Sequence, residues 1–334
     1  MKRLVGQSAL LLTILCMLSP GSASYLGRAE VDTFVAELAR RHSFDEYELR
    51  DLFRGVRTQQ RVLEAIARPA EAKPWHAYRP IFVTDSRIRQ GTEFWNEHAA
   101  LLSEIESDLG VPAEILVAIV GVETRYGRHR GSFRALDTLT TLAFDYPPRS
   151  AFFRRELEQF LLLVRDEGLD ARRVSGSYAA AMGMPQFISS SYREYAVDYD
   201  KDGRRDLWDS PEDVLASVAN YFRRHGWRRG DPVTFAVTPD GTDYRDLLRK
   251  ELQPRVTLEQ LRSHRLIGAG QSPAGPFTVM ELQGTSGPEV WVGHYNFYVI
   301  TRYNHSRLYA MAVHQLSRAV RERRAQPQVQ ITTQ

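Results

Sequence analysis

Residues able to do chemistry gather in three places along the chain. The first is Glu123, which closes an almost wholly apolar run from Ile115 to Val122. Apolar residues on every side predict a helix buried all round. A carboxylate at the end of such a helix borders a low-dielectric interior. Desolvation disfavours its charged form and raises its pKa, as a general acid at neutral pH requires. The plainer alternative is a surface glutamate paired with Arg125 or Arg128. The second place is Asp198-Tyr-Asp200-Lys-Asp202-Gly203-Arg204, with acids at alternate positions and a glycine next. This is how an EF-hand calcium loop begins: alternate carboxylates face one centre, Gly203 permits the sharp turn and Arg204 offers its backbone carbonyl. Where that loop would carry a closing glutamate stands Asp209, so the last ligand is open between Asp209, Glu212 and Asp213. Hard oxygen donors in this number favour calcium, in a structural role. The third is a set of aromatic and amide residues: Tyr146, Tyr178, Gln186, Phe187, Tyr192, Tyr221, the Tyr295–Tyr298 cluster, and Arg302 with Tyr303 and Asn304. Flat apolar faces beside hydroxyls and amides suit a sugar-binding cleft, although any one of these rings taken alone reads as core.

The elements that must position these residues are mostly helical. Val111 to Gly127 reads as one helix, with Pro112 at its first position, Glu114 in its first turn and Gly127 as its stop. Helical spacing also marks residues 28–68, Thr84 to Leu109, Phe133 to Leu142, Ala151 to Glu167, Ser189 to Val197, Val214 to Phe222 and Ser306 to Arg324. Residues 69–80, rich in Pro and aromatics, read as an irregular connection. The small, glycine-bearing run from Ser175 to Phe187 suits backbone packed close to a ligand. Strand character appears late, at Val233–Val237, Phe277–Leu282 and Glu289–Ile300, while Leu247–Leu266 reads as mainly helical.

The bulk properties set limits. A chain of 334 residues with 43% hydrophobic and 25% charged residues is an ordinary globular protein, long enough for two or three domains. Lys2 and Arg3, the apolar run Leu4 to Leu18 and the small residues Gly21 to Ala23 predict a secretory signal removed near Ala23. Its two basic residues take the net charge from +3 to +1, which gives no nucleic-acid footprint. Cys16, the one cysteine, falls inside the signal. It is a less favoured lipid acceptor, because Leu15 stands where that signal wants a small residue.

Five stretches in one order resemble the membrane-bound lytic murein transglycosylase B family: Ala118–Gly127, Ser177–Gly183 with Gln186 and Phe187, the acidic loop, Ser217–Phe222, and Phe297–Asn304. The resemblance spans about residues 28–320. It implies an α+β, mainly α fold: a lysozyme-like helical core with a surrounding helical domain and a small β domain. The division it suggests is a signal peptide at 1–23 and a helical domain at 24–105 joined by the C-terminal helix 306–325. The core at 106–232 would carry the calcium loop 198–213, ahead of a β-containing domain at 233–305 and a disordered tail at 326–334.

The activity implied is cleavage of the β-1,4 bond between N-acetylmuramic acid and N-acetylglucosamine in peptidoglycan, leaving 1,6-anhydromuramic acid ends. In the family a single glutamate, matched here by Glu123, acts first as acid and then as base. Ser177 matches a serine near the acid, and Gln186 and Asn304 match cleft amides. Tyr78, Arg149, Phe187, Tyr221, Tyr303 and Tyr309 match residues that bind glycan or its stem peptide. The match also favours Asp213 as the last calcium ligand beside Asp198, Asp200, Asp202 and Arg204, in a loop one residue longer than the family pattern. Two further departures are Phe152 in place of a tyrosine and Met184-Pro185 in place of a more glycine-rich pair. The expected setting is the periplasm. The expected partners are glycan strands and, beyond them, other cell-wall enzymes, with a monomer as the working unit. Two rival readings remain: a lysozyme-type hydrolase using Asp137 or Asp145 as second carboxylate, and a non-catalytic peptidoglycan-binding protein.

Overall fold

A computed structural model describes residues 24–67, 73–268, 270 and 273–326. The signal segment, Cys16 and all of the expected tail except Gln326 lie outside the described residues. The chain divides into two compact units, one running to Thr58 and the other beginning at Gln59. The described part of the first holds α1 (Ala29–His42) and α2 (Glu46–Arg54). Asp45 caps α2 by accepting the N–H groups of Tyr47 and Glu48. Val31, Phe34, Val35 and Leu38 of α1 are buried, as are Leu49 and Phe53 of α2.

The second unit carries the remaining elements. It opens with α3 (Gln60–Ile66), α4 (Trp75–Phe82), α5 (Asp85–Glu97), α6 (Ala99–Leu109) and α7 (Ala113–Thr124). A short β1 (Phe133–Arg134) leads into α8 (Ala135–Asp145) and α9 (Ser150–Asp166). Then come β2 (Ser175–Gly176), α10 (Ser189–Tyr195) and α11 (Pro211–Arg224). After β3 (Thr234–Val237) the chain forms α12 (Leu258–Ser263), β4 (Thr278–Gln283), β5 (Pro288–Gly293), α13 (Tyr295–Tyr303) and α14 (Arg307–Ala325). The fold is therefore mainly α with small sheets, as expected.

α7 is the hub. Ten of its residues are buried, and α5, α6, α11 and α14 all pack against it. Its sequence explains this, because Ile115 to Val122 leaves no polar face to show solvent. The antiparallel sheet β3-β5-β4 pairs Val292 with Phe235 on one side and Val279 on the other. Val279, Val290 and Val292 join Tyr244, Leu247, Val256, Leu261 and Phe277 in a separate small core beneath the sheet.

Four local expectations are corrected. Residues 69–80 were expected to be irregular, yet α4 forms from Trp75 with Pro80 inside it. Its buried Trp75 and Tyr78 hold it against the fold, and that packing outweighs the cost of a proline in so short a helix. The expected continuous helix from Thr84 to Leu109 breaks at His98, whose φ of −108° leaves the helical range. Leu247 to Leu266 is mostly irregular, with only the six-residue α12, capped by a Thr257/Gln260 box. Finally, the strand expected over Glu289–Ile300 stops at Gly293 and α13 begins at Tyr295. Asn296 fixes that switch by accepting from Arg228 N–H and donating to the carbonyls of Arg228 and Asp231.

Candidate active site

Glu123 is the penultimate residue of α7 and half-buried. The helix starts one residue later than expected, with Pro112 as its N-cap. It also ends sooner than Gly127 would require. Arg125 and Tyr126 both adopt left-handed conformations, φ 52° and 59°, before Gly127 at 79°. Two consecutive non-glycine residues in that region cost on the order of 1–3 kcal/mol each. Partners on α5 hold them there. Arg125 donates to Gln90 and Ser86, and Tyr126 Oη donates to the Arg87 carbonyl. Thr124 Oγ1 donates to the Met184 carbonyl at 2.9 Å and accepts the Gly127 N–H. Arg125 is thus drawn toward α5.

One partner of Glu123 comes from α14. Tyr309 Oη donates to Glu123 Oε1 at 2.5 Å. Tyr309 is 3% exposed. Burial first, and then the Glu123 charge, hold its phenol pKa well above the ordinary value, so it remains a donor. Tyr78 lies near enough to Tyr309 to raise it further. Tyr303 lies parallel to Tyr309, with ring centroids 6.4 Å apart, and its hydroxyl donates to the Pro185 carbonyl at 2.5 Å. The backbone of Met184 and Pro185 is therefore clasped from both sides, by Thr124 next to Glu123 and by Tyr303.

Beyond this clasp opens a cavity of about 940 Å³. Arg149, Gln186, Phe187, Tyr221, Tyr303 and Asn304 line it, all six named from the sequence. Phe187, Tyr221 and Tyr303 form one aromatic cluster, with centroids 4.9 to 5.8 Å apart. Tyr221 also stacks on His225 at 4.1 Å and donates to the Arg302 carbonyl. Arg149 lies over the Phe152 and Phe153 rings. Without its hydroxyl, Phe152 serves here as a platform for the guanidinium. Gln186, at φ 52°, spends its amide N–H groups on the carbonyls of Gly183 and Arg130.

Ser177, Tyr78, Tyr309 and Glu123 are not among the residues lining this cavity. Ser177 Oγ accepts the N–H groups of Ala179 and Ala181, which shapes the loop. It makes no hydrogen bond to Glu123. Cavity residues that sequence reasoning passed over include Phe153, Ser190, Arg193, Tyr195 and His305. Among the described residues the one carboxylate lining the cavity, Glu194, pairs with Arg224. Asp137 is committed to Arg134 and Gln59, and Asp145 does not line the cavity either.

In the acidic loop, carboxylate oxygens of Asp198, Asp200 and Asp202 lie within 4.8 Å of one another. Backbone N–H groups fold onto them: Asp202 and Gly203 donate to Asp198, and Arg204 donates to Asp202. Asp213 is 1% exposed and accepts from Tyr199 and Asp206, both at 2.7 Å. Burial raises its pKa, the two N–H donors oppose this, and the charges of Asp200 and Asp198 raise it further. Of the two alternatives for the closing ligand, Asp209 pairs with Arg130 and Glu212 accepts from Ser210. Three oxygen-donor side chains facing one another, with none in an ion pair among the described residues, fit a hard divalent cation.

Residues 27–318 match the family described as the transglycosylase SLT domain. The chain belongs to that family. As a member, it is similar to membrane-bound lytic murein transglycosylase B of Escherichia coli K12, with 40% identity over 309 residues, 88% of this chain and 83% of the relative. Among solved structures it resembles soluble lytic transglycosylase SltB1 of Pseudomonas aeruginosa, at 46% identity and a TM-score of 0.83, covering 89% of this chain and 100% of that one. The E. coli lytic transglycosylase Slt35 in complex with calcium matches at 38% identity and a TM-score of 0.83, covering 91% and 96%. SltB3 of P. aeruginosa in complex with NAG-anhNAM-pentapeptide matches at 32% identity and a TM-score of 0.76, covering 87% and 79%. This transglycosylase domain thus reaches from α1 into α14 and includes Glu123, the cavity and the acidic loop.

Proposed function

We propose that the protein is an exported peptidoglycan lytic transglycosylase that cleaves the β-1,4 bond between N-acetylmuramic acid and N-acetylglucosamine and leaves a 1,6-anhydromuramic acid end. The observation that carries this reading is the pairing of Glu123 with the buried Tyr309 hydroxyl, beside an aromatic and amide cavity whose one carboxylate is already paired. Glu123 protonates the glycosidic oxygen as the C1–O bond breaks. The resulting carboxylate takes the proton of the muramic acid C6 hydroxyl, and O6 attacks C1. The nucleophile belongs to the substrate, so it arrives at high effective molarity and no second carboxylate is needed. Tyr309 favours the anionic form of Glu123 and so supports its second role. Gln186, Phe187, Tyr221, Tyr303, Asn304 and Arg149 hold the glycan, with Tyr78 and Ser177 as further contacts. The complexes of the relatives with peptidoglycan fragments point to the same substrate.

Asp198, Asp200, Asp202, the Arg204 carbonyl and Asp213 would hold calcium, as the calcium complex of Slt35 suggests. The ion would brace the loop between α10 and α11. The working protein is a monomer in the periplasm. No helix of the described residues is long and apolar enough to cross a membrane.

Digestion of purified sacculi tests the activity. The expected muropeptides are one water lighter than those from a hydrolase, and Glu123→Gln keeps the fold while losing turnover. Full-mass reducing ends, or turnover by that variant, would sink the mechanism. For the metal, saturating calcium is expected to raise the thermal midpoint over chelator; at 100 times Kd the linkage is worth about 2.7 kcal/mol. An unchanged midpoint argues against the site.

A further inference from the structure

A second cavity of about 430 Å³ adjoins the first, and the two share Asn304 and His305. Its lining differs in kind. Lys73, Lys250 and Arg307 all face it, two of them lysines in a chain whose cations are mostly arginine. Among the described residues no carboxylate pairs with any of the three. The one acid in the lining, Glu281, already accepts from Arg245 and from the Tyr244 hydroxyl. The buried Trp75 in the same wall has an indole N–H without an acceptor. Three unpaired cations around one hollow repel one another and attract an anion.

We infer that this cavity binds the carboxylates of the stem peptide carried by the glycan strand. The inference rests on the first cavity holding the glycan. A peptide leaves the strand sideways from the lactyl ether of muramic acid and presents free carboxylates along its length and at its end. With a sugar beside Asn304 and His305, those carboxylates have the second cavity immediately across the same two residues. Lys73 precedes α4 and Lys250 precedes the β4 strand, so segments far apart in the chain converge on this one anion site. Sugar recognition needs no such charge. A peptide of net negative charge does.

The test compares wild type with Lys73→Glu/Lys250→Glu and with Lys73→Arg/Lys250→Arg on three strands: peptide-free, with free stem carboxylates, and with those carboxylates amidated. Reversing two exposed charges is expected to lower kcat/KM about 10-fold on strands with free carboxylates, through KM. The arginine pair is expected to retain wild-type kinetics. On peptide-free and amidated strands the glutamate pair is expected to stay within about twofold of wild type. Equal loss on all three strands, or no loss with free carboxylates, overturns the inference. Loss confined to a fourth strand, peptide-free and bearing a phosphate polymer, would assign the site to that anion and overturn it too. If wild type cleaves none of the strands, it is the proposed activity that fails, and the outcomes are distinguishable.

Discussion

Glu123 and Tyr309 stand 186 positions apart, and a hydrogen bond joins them. Tyr309 donates to a Glu123 carboxylate oxygen, and a hydrogen bond made to the charged form favours that form. Tyr309→Phe removes only the donor. A hydrogen bond to a charged group is worth about 1.5–3 kcal/mol, so kcat is expected to fall about 10- to 100-fold with KM nearly unchanged. The sign of the pH effect follows. The first step uses protonated Glu123, so the rate falls as pH rises and the proton leaves. Without its donor the carboxylate keeps that proton to higher pH, and the alkaline limb of the rate profile moves up. An unmoved limb would show that Tyr309 does not govern the protonation of Glu123. Sequence alone singled out both residues, Glu123 from its apolar helix and Tyr309 from the family resemblance. It assigned Tyr309 to the substrate, because nothing local in a sequence reveals a contact between the end of one helix and the first turn of another.

The end of α7 sets where Glu123 points, and glycine is required there for room. A Cβ on Gly121 would stand 2.6 Å from Tyr126 Oη, and one on Gly91 of α5 would stand 2.3 Å from the same atom. The Tyr126 hydroxyl is threaded between two glycines, and its ring rests against Phe94 at 5.5 Å. It has no space to withdraw into. Helix propensity alone predicts that Gly121→Ala stabilises by roughly 1 kcal/mol. The expected outcome is the opposite, a loss of about 1–3 kcal/mol from overpacking, read as a lower denaturant midpoint with unchanged slope. Activity is expected to fall with it, since Glu123 lies two residues on. A stabilised, fully active variant would refute the threading argument. At this scale the long helices were legible, because α7 is apolar almost throughout and α9 buries Phe153, Leu157 and Phe160 at helical spacing. The failures came where period and composition disagree. Tyr295–Ile300 is rich in β-formers and still folds as a helix, because the Asn296 bonds to Arg228 and Asp231 fix the backbone. No propensity scale carries that information.

For the second unit, a buried histidine on α14 contributes to stability against acid. His314 lies in the middle of α14, 8% exposed, with its ring edge-on to Trp291 of β5. It therefore joins the small sheet to the helix that supplies Tyr309. Burial first, and then the positive charges of Arg318 and Arg321, push its pKa down from 6.5 to about 4. Arg318 and Arg321 are turned to Glu322 and Glu114 in ion pairs, so neither acid relieves the imidazole directly. The unfolded chain takes up a proton here as pH falls through 6.5, and the native chain does so only near 4. Protonation thus favours the unfolded state throughout that window, and above 6.5 it favours neither. The integrated cost at the acid end is about 3 kcal/mol. Carboxylates contribute their own acid lability, so the informative quantity is a difference. Denaturant unfolding of wild type and His314→Gln, compared at intervals from neutral pH to 4, is expected to show the variant losing less stability, with the gap opening below 6.5. Parallel curves would mean that the imidazole is hydrated in solution and that the contact between β5 and α14 is looser than its burial implies.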